Sequence, residues 1–160
     1  MNAFNATIDQ PVVSVVTVGE AGPAGPAGAA GGDPTAIISV QSGEGVIISR
    51  GTPVAMVAGV VMRASSLGPG KVYGLVYDTT IGVGGFGRVI TGTVLPASTT
   101  EWDNITGGSG GLVAGSTYYL STVAGRLVLV PNLTSGVNSL VGFAISSTQL
   151  RLFLGSPITL

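Results

Sequence analysis

The sequence predicts an all-β protein: a β-sandwich or barrel-like domain, preceded by an extended N-terminal arm and a short collagen-like stalk. Three observations carry this expectation. From residue 33 onward, about eight to ten short runs rich in β-branched and aromatic residues alternate with clusters of Gly, Ser, Asn and Pro. No run repeats its apolar residues at helical spacing. Near the start, in "GEAGPAGPAGAAGG", glycine falls at every third position.

The first element is residues 1–18. "PVVSVVTV" contributes Pro11, Val12, Val13, Val15, Val16 and Val18, a β-branched run that cannot bury itself alone. It is a candidate docking arm that pairs with another chain, with the rest of this one, or with a surface. The second element is residues 19–32, with Gly19, Gly22, Gly25, Gly28 and Gly31 in strict period and Pro23 and Pro26 in second places of their triplets. Only glycine fits at the axis of three wound polyproline-like chains, which gives such a period a physical reason. At about 3.1 Å per residue the tract extends roughly 40 Å. Two forms are open to it: a triple-helical stalk, or an extended Gly/Ala/Pro linker. Four triplets are too few to trimerise alone, so a stalk needs a neighbouring domain to hold three chains together.

Residues 33–160 form the β domain. "TAIISV" (35–40) and "GVIIS" (45–49) flank the turn "QSGE", and "TPVAMVAGVVMRA" (52–64) and "KVYGLVYD" (71–78) follow. "FGRVITGTVL" (86–95) comes after a glycine-rich turn. Beyond a long connection, Pro96 to Gly115, lie "STYYLST" (116–122), "GRLVLV" (125–130), "SLVGFAIS" (139–146) and "QLRLFLG" (149–155). In the last of these, Leu150, Leu152 and Leu154 share one face and Arg151 and Phe153 the other. Tyr118 and Tyr119 point to opposite faces, one to the core and one to the surface or a subunit seam.

Composition narrows the function classes. Of 160 residues 45% are hydrophobic and only 8% charged, against about 25% in ordinary soluble domains. Such a surface suits a chain that lies against other copies or a neighbour, since few charges need desolvating there; a neutral, rigid β protein is the plainer reading. The net charge is −1 and there is no basic run, which argues against nucleic-acid binding. There is no cysteine, hence no disulfide or thiolate chemistry. "MNAFNATIDQ" has neither a basic nor an apolar signal region, so no signal peptide is expected there. The apolar run Pro53 to Met62 is too short to span a bilayer, and no membrane partner is expected.

"GVGGFG", Gly82 to Gly87, matches the dinucleotide fingerprint in letters, but a strand pattern follows it where a helix is required. A glycine turn between strands fits better. The chain has no histidine, which removes the commonest general base and metal ligand. Glu101 and Asp103 flank Trp102 in "TTEWDN" and make the one candidate ligand loop. The carboxylates suit a calcium ion with loop carbonyls, or a sugar-binding lip beside the indole; the plainer expectation is a solvated loop whose tryptophan packs on the domain or a neighbouring subunit. Asn5, Asn104 and Asn132 head Asn-x-Thr sequons, read as coincidental without a secretory signal. No enzyme constellation, catalytic residue, metal site or cofactor is expected.

The second half carries a pattern. "EWDNITGGSGGLVAGSTYYLSTVAGRLVLVP" followed by "LVGFAISSTQLRLFL" resembles a β module of tailed-bacteriophage virion surface proteins. Gly111, Leu112, Gly115, Tyr118, Tyr119, Leu120, Ser121, Gly125, Pro131, Val141, Gly142, Ala144 and Ser146 carry the resemblance, which covers roughly residues 50–160. It implies a trimeric decoration (cement) protein on the capsid exterior, made in the host cytoplasm and bound to the major capsid protein. The alternative it implies is a short head or tail fibre, joined to a tail or fibre attachment protein, whose β tip binds host glycan.

Overall fold

The computed structural model describes residues 37–160. The arm residues Pro11 to Val18 and the triplet glycines Gly19 to Gly31 lie outside the described residues. In chain order the elements are β1 Ile37–Gln41, β2 Ile48–Ser49, β3 Pro53–Val57, β4 Val60–Arg63, β5 Gly74–Val76, β6 Thr80–Ile81, β7 Phe86–Ile90 and β8 Val94–Pro96. There follow α1 Thr99–Thr106, β9 Thr117–Leu120, β10 Leu127–Val128, β11 Val137–Asn138, β12 Leu140–Ser146, β13 Gln149–Leu152 and β14 Ile158–Thr159. The all-β expectation holds for the described residues, with one short helix added.

Two five-stranded sheets dominate. The first runs β1-β7-β5-β3-β4 and the second β10-β9-β12-β13-β8; β2 pairs β6 and β11 pairs β14 in two small ladders. Every strand pair within the sheets is antiparallel. The two edges of the first sheet meet: Ser42 bridges Val61 in parallel, and the Gly43 amide donates to the Val61 carbonyl at 2.9 Å. The second sheet instead ends on its shortest strands, β8, which closes on Pro96, and the two-residue β10.

Period-two alternation explains the two cores. In the first sheet Val40, Val54, Val61, Val76 and Val89 point inward with Ile48 and Ile81 from the small ladder. Their neighbours Ala55, Leu75 and Ile90 point the other way, into a cluster shared with Leu95, Tyr118, Leu120, Leu127, Val141, Ala144, Leu150 and Leu152 of the second sheet. The middle strands of the first sheet are therefore buried on both faces, and β5 has no exposed residue. At roughly 1.5–3 kcal/mol for each large apolar side chain removed from water, each such strand gains on both sides. The second sheet buries one face, as "QLRL" shows: Leu150 and Leu152 are buried, Gln149 and Arg151 exposed.

Three sequence expectations change. The run 52–64 is two strands, because Ala58 and Gly59 adopt left-handed φ of 48° and 86° and fold it into a β3–β4 hairpin. The run 86–95 also divides: β7 stays in the first sheet and β8 joins the second. The connection 96–115 is not a loop throughout, since α1 occupies its first half.

Candidate functional site

The candidate ligand loop is built around α1. Ser98 is its N-cap: the hydroxyl accepts from the Glu101 amide at 3.2 Å, and a Glu101 carboxylate oxygen accepts from the Ser98 amide at 2.7 Å. This reciprocal pair satisfies two amides that the first turn leaves open. Gly107 closes the helix in the left-handed conformation, its amide donating to the Asp103 carbonyl. Trp102 and Ile105 then face inward, and Trp102 is wholly enclosed in the core between the sheets.

Glu101, Trp102 and Asp103 are thus drawn apart. Burial pushes the Glu101 carboxyl up, but the Ser98 amide and hydroxyl, with the Arg50 charge 3.8 Å away, outweigh it and hold the group below its ordinary value. Asp103 accepts from the amides of Gly111 at 2.7 Å and Gly110 at 3.2 Å and so fixes the glycine loop. The indole forms no lip beside either carboxylate. All three side chains are engaged in holding α1 and the following loop.

The residues singled out in the second half of the sequence form a second set. The Tyr118 ring is buried, and its hydroxyl accepts from the Val113 amide at 2.8 Å. Tyr119, on the opposite face, is half-buried. Ser121 accepts from the Val123 amide at 3.1 Å and shapes the turn to β10. At Gly111 and Gly142 backbone packs on backbone: a Cβ there would run into the carbonyl oxygens of Ser147 and Arg151. Leu112, Leu120, Val141 and Ala144 are core. The pattern encodes a way of folding the second sheet.

Two further ion pairs are local, Arg88 with Asp78 and Arg63 with Glu44. Arg88 holds Asp78 through its side chain at 2.7 Å and its amide at 2.8 Å. The Arg88 hydrogen bond keeps the Asp78 carboxyl below its ordinary value and raises the guanidinium in return. Arg88 and Arg50 lie over the Tyr77 ring at 5.0 and 5.8 Å from its centre. Glu44 accepts from the Arg63 amide at 2.6 Å. Among the described residues no three His, Cys, Asp or Glu side chains gather where a metal ion could sit.

Two surface features escaped sequence reading. One is a cleft of about 570 Å³ beside the start of β1, lined by Ile38, Met56, Tyr73, Thr91 and Leu154. The other is an apolar tip at the far end of the first sheet, where Val46, Ile47, Val83 and Phe86 are exposed, Phe86 to 75%. Exposed apolar residues in the hairpins gave a signal for the tip; the cleft joins residues distant in sequence and gave none. Comparison with protein-family models, with curated proteins and with solved structures gave no match.

Proposed function

We propose that this chain is a trimeric structural protein of a virus particle, a decoration (cement) protein that binds the outside of a phage head and stabilises it. The observation that carries the reading is the five-glycine period, which ends just before a β domain of very low charge. In this reading the two sheets pack as a sandwich, three such domains hold three chains in register, and the Gly-X-Y tracts run together as a stalk. The arms at 1–18 then add strands to, or lie along, the capsid. Three weak contacts on one trimer act with avidity, because the second and third are intramolecular.

The structure supports a scaffolding role in a further way. The carboxylates and the buried tryptophan are engaged in local structure, while apolar side chains such as Phe86 and Val130 stand in solvent. Where side chains of this kind form a contiguous patch, they mark surfaces that meet other protein. The fibre reading loses its candidate site, since the Trp102 indole is enclosed.

Copy number tests the proposal: quantitative mass spectrometry of purified virions, with the major capsid protein as standard. Hundreds of copies support a protein spread over the shell. A handful turns the reading into a fibre or tail component, and absence from virions overturns it. Gly25→Glu tests the stalk separately. It is expected to disrupt a triple helix, because no side chain fits at the axis; an unchanged circular dichroism spectrum and melt would leave only a linker.

A further inference from the structure

Between β2, the end of β4, α1 and the turn from β9 to β10 lies a recess of about 190 Å³ that gathers two arginines. Ser49, Thr52, Arg63, Asn104, Ile105 and Arg126 line it, and no Asp or Glu does. The backbone sets the two arginines side by side. The Gly125 amide donates to the Ala64 carbonyl at 2.8 Å, which seats the turn against the end of β4. A Cβ at Gly125 would stand 2.9 Å from Arg63 Cδ and 3.0 Å from Thr52 Cγ2, so the turn packs on the Arg63 stem. Arg126 is the next residue. A Cβ at Gly107, the end of α1, would meet Arg126 Nη1 at 2.8 Å.

The charges here do not cancel. Glu44 offsets Arg63, its Oε1 lying 3.4 Å from Arg63 Nε. That Nε is buried and forms no hydrogen bond, while the side chain keeps 38% of its surface in solvent. Arg126 is exposed and makes no ion pair with any carboxylate among the described residues. One positive charge is therefore left uncompensated at the recess.

We propose that this recess binds the carboxylate of a small hydroxylated acid, such as a sugar acid. Guanidinium groups present planar forks that match the two oxygens of a carboxylate. A single surplus charge attracts a monoanion and is too little to balance a doubly charged phosphate. Ser49, Thr52 and Asn104 bring neutral hydroxyl and amide groups that pair with ligand hydroxyls, and Ile105 gives an apolar wall. The volume is below the roughly 300 Å³ at which pockets for drug-sized ligands begin, so one small ring or chain is the size that fits. The inference is independent of the trimer reading: either can fail without the other.

The test uses the full-length chain and amide NMR titrations at neutral pH and fixed ionic strength, since salt screens exposed charges. The probes are D-glucuronate, its neutral counterpart D-glucose, and inorganic phosphate. Glucuronate is expected to give saturable shifts at Ser49, Thr52, Asn104 and Gly125, with half-saturation in about the millimolar range. Glucose and phosphate are expected to bind at least about tenfold more weakly, because each lacks part of the match. Arg126→Gln should weaken glucuronate by about tenfold or more with an unchanged circular dichroism spectrum. Arg126→Lys, which keeps the charge and loses the fork, should fall between that variant and the wild type. Arg151→Gln removes the same charge from the outer face of the second sheet and should bind as the wild type does. Shifts that do not saturate or that lie elsewhere overturn the proposal, as does an equal response to glucose or phosphate. Wild-type binding by Arg126→Gln, or an equal loss in Arg151→Gln, overturns it too.

Discussion

The two five-stranded sheets use similar strands but bury them differently. In the first sheet Val54, Val76 and Val89 face one core while Ala55, Leu75 and Ile90 face another. In the second, Tyr118, Leu120, Leu150 and Leu152 are covered, and Phe143, Ile145 and Phe153 on the other side are exposed. Both sheets carry apolar residues at outward positions, yet only the first has something folded over them. In this chain an apolar residue on a strand does not by itself mark the core: the curl of the sheet decides.

This difference can be broken or sharpened by experiment. The largest effect is expected at the layer both regions share. Trp102→Ala empties a fully enclosed site and should cost about 3–5 kcal/mol in urea unfolding. A loss below about 1 kcal/mol would mean that α1 is not part of the common core. Next comes a matched pair. Leu75→Ala, in the doubly buried strand, should cost about 2–5 kcal/mol. Phe143→Ala, on the outward face of the second sheet, should stay within about 1 kcal/mol in the isolated domain. Equal losses would erase the distinction between the sheets.

A smaller effect tests what orders the second sheet. Tyr118→Phe keeps the ring and removes the acceptor of the Val113 amide, for an expected loss of about 1–3 kcal/mol. An unchanged midpoint would assign that amide to water. The smallest effect is acid dependence. Glu101 and Asp78 are held below their ordinary values of 4.5 and 3.8. The unfolded chain therefore binds more protons, and the stabilisation is complete above those values and lost as pH falls through the lower folded ones. Melting temperature should fall as pH drops below 4.5, and Glu101→Gln should flatten the upper part of that fall. An identical acid profile for the variant would remove Glu101 from the account.

Much of this fold was legible from residue pattern. "QLRLFL" announced its faces by strict alternation, and Tyr118 and Tyr119 divided as a strand requires. The two-residue strands β6, β11 and β14 were not legible, since so short a pairing leaves no periodicity to read. The β3–β4 hairpin was hidden by Ala58, a residue that rarely takes positive φ. The helix did leave a sign: Ser98 followed three residues later by Glu101 is a capping box, and Gly107 is a stop. Eight residues gave too little periodicity to outweigh the β-rich surroundings. The ligand reading of Glu101, Trp102 and Asp103 met the same difficulty, because on a helix three consecutive residues point in three directions.

The short outer strands of the second sheet carry a consequence for crowding. An exposed row of amides and carbonyls invites the next molecule to extend the sheet, and the invitation strengthens as molecules are brought close. Here β8 stops at Pro96, which has no amide hydrogen to give, and β10 offers only two residues. The first sheet seals part of its own margin through Ser42 and Val61. Among the described residues, little strand edge is therefore left on which a neighbouring copy could extend either sheet.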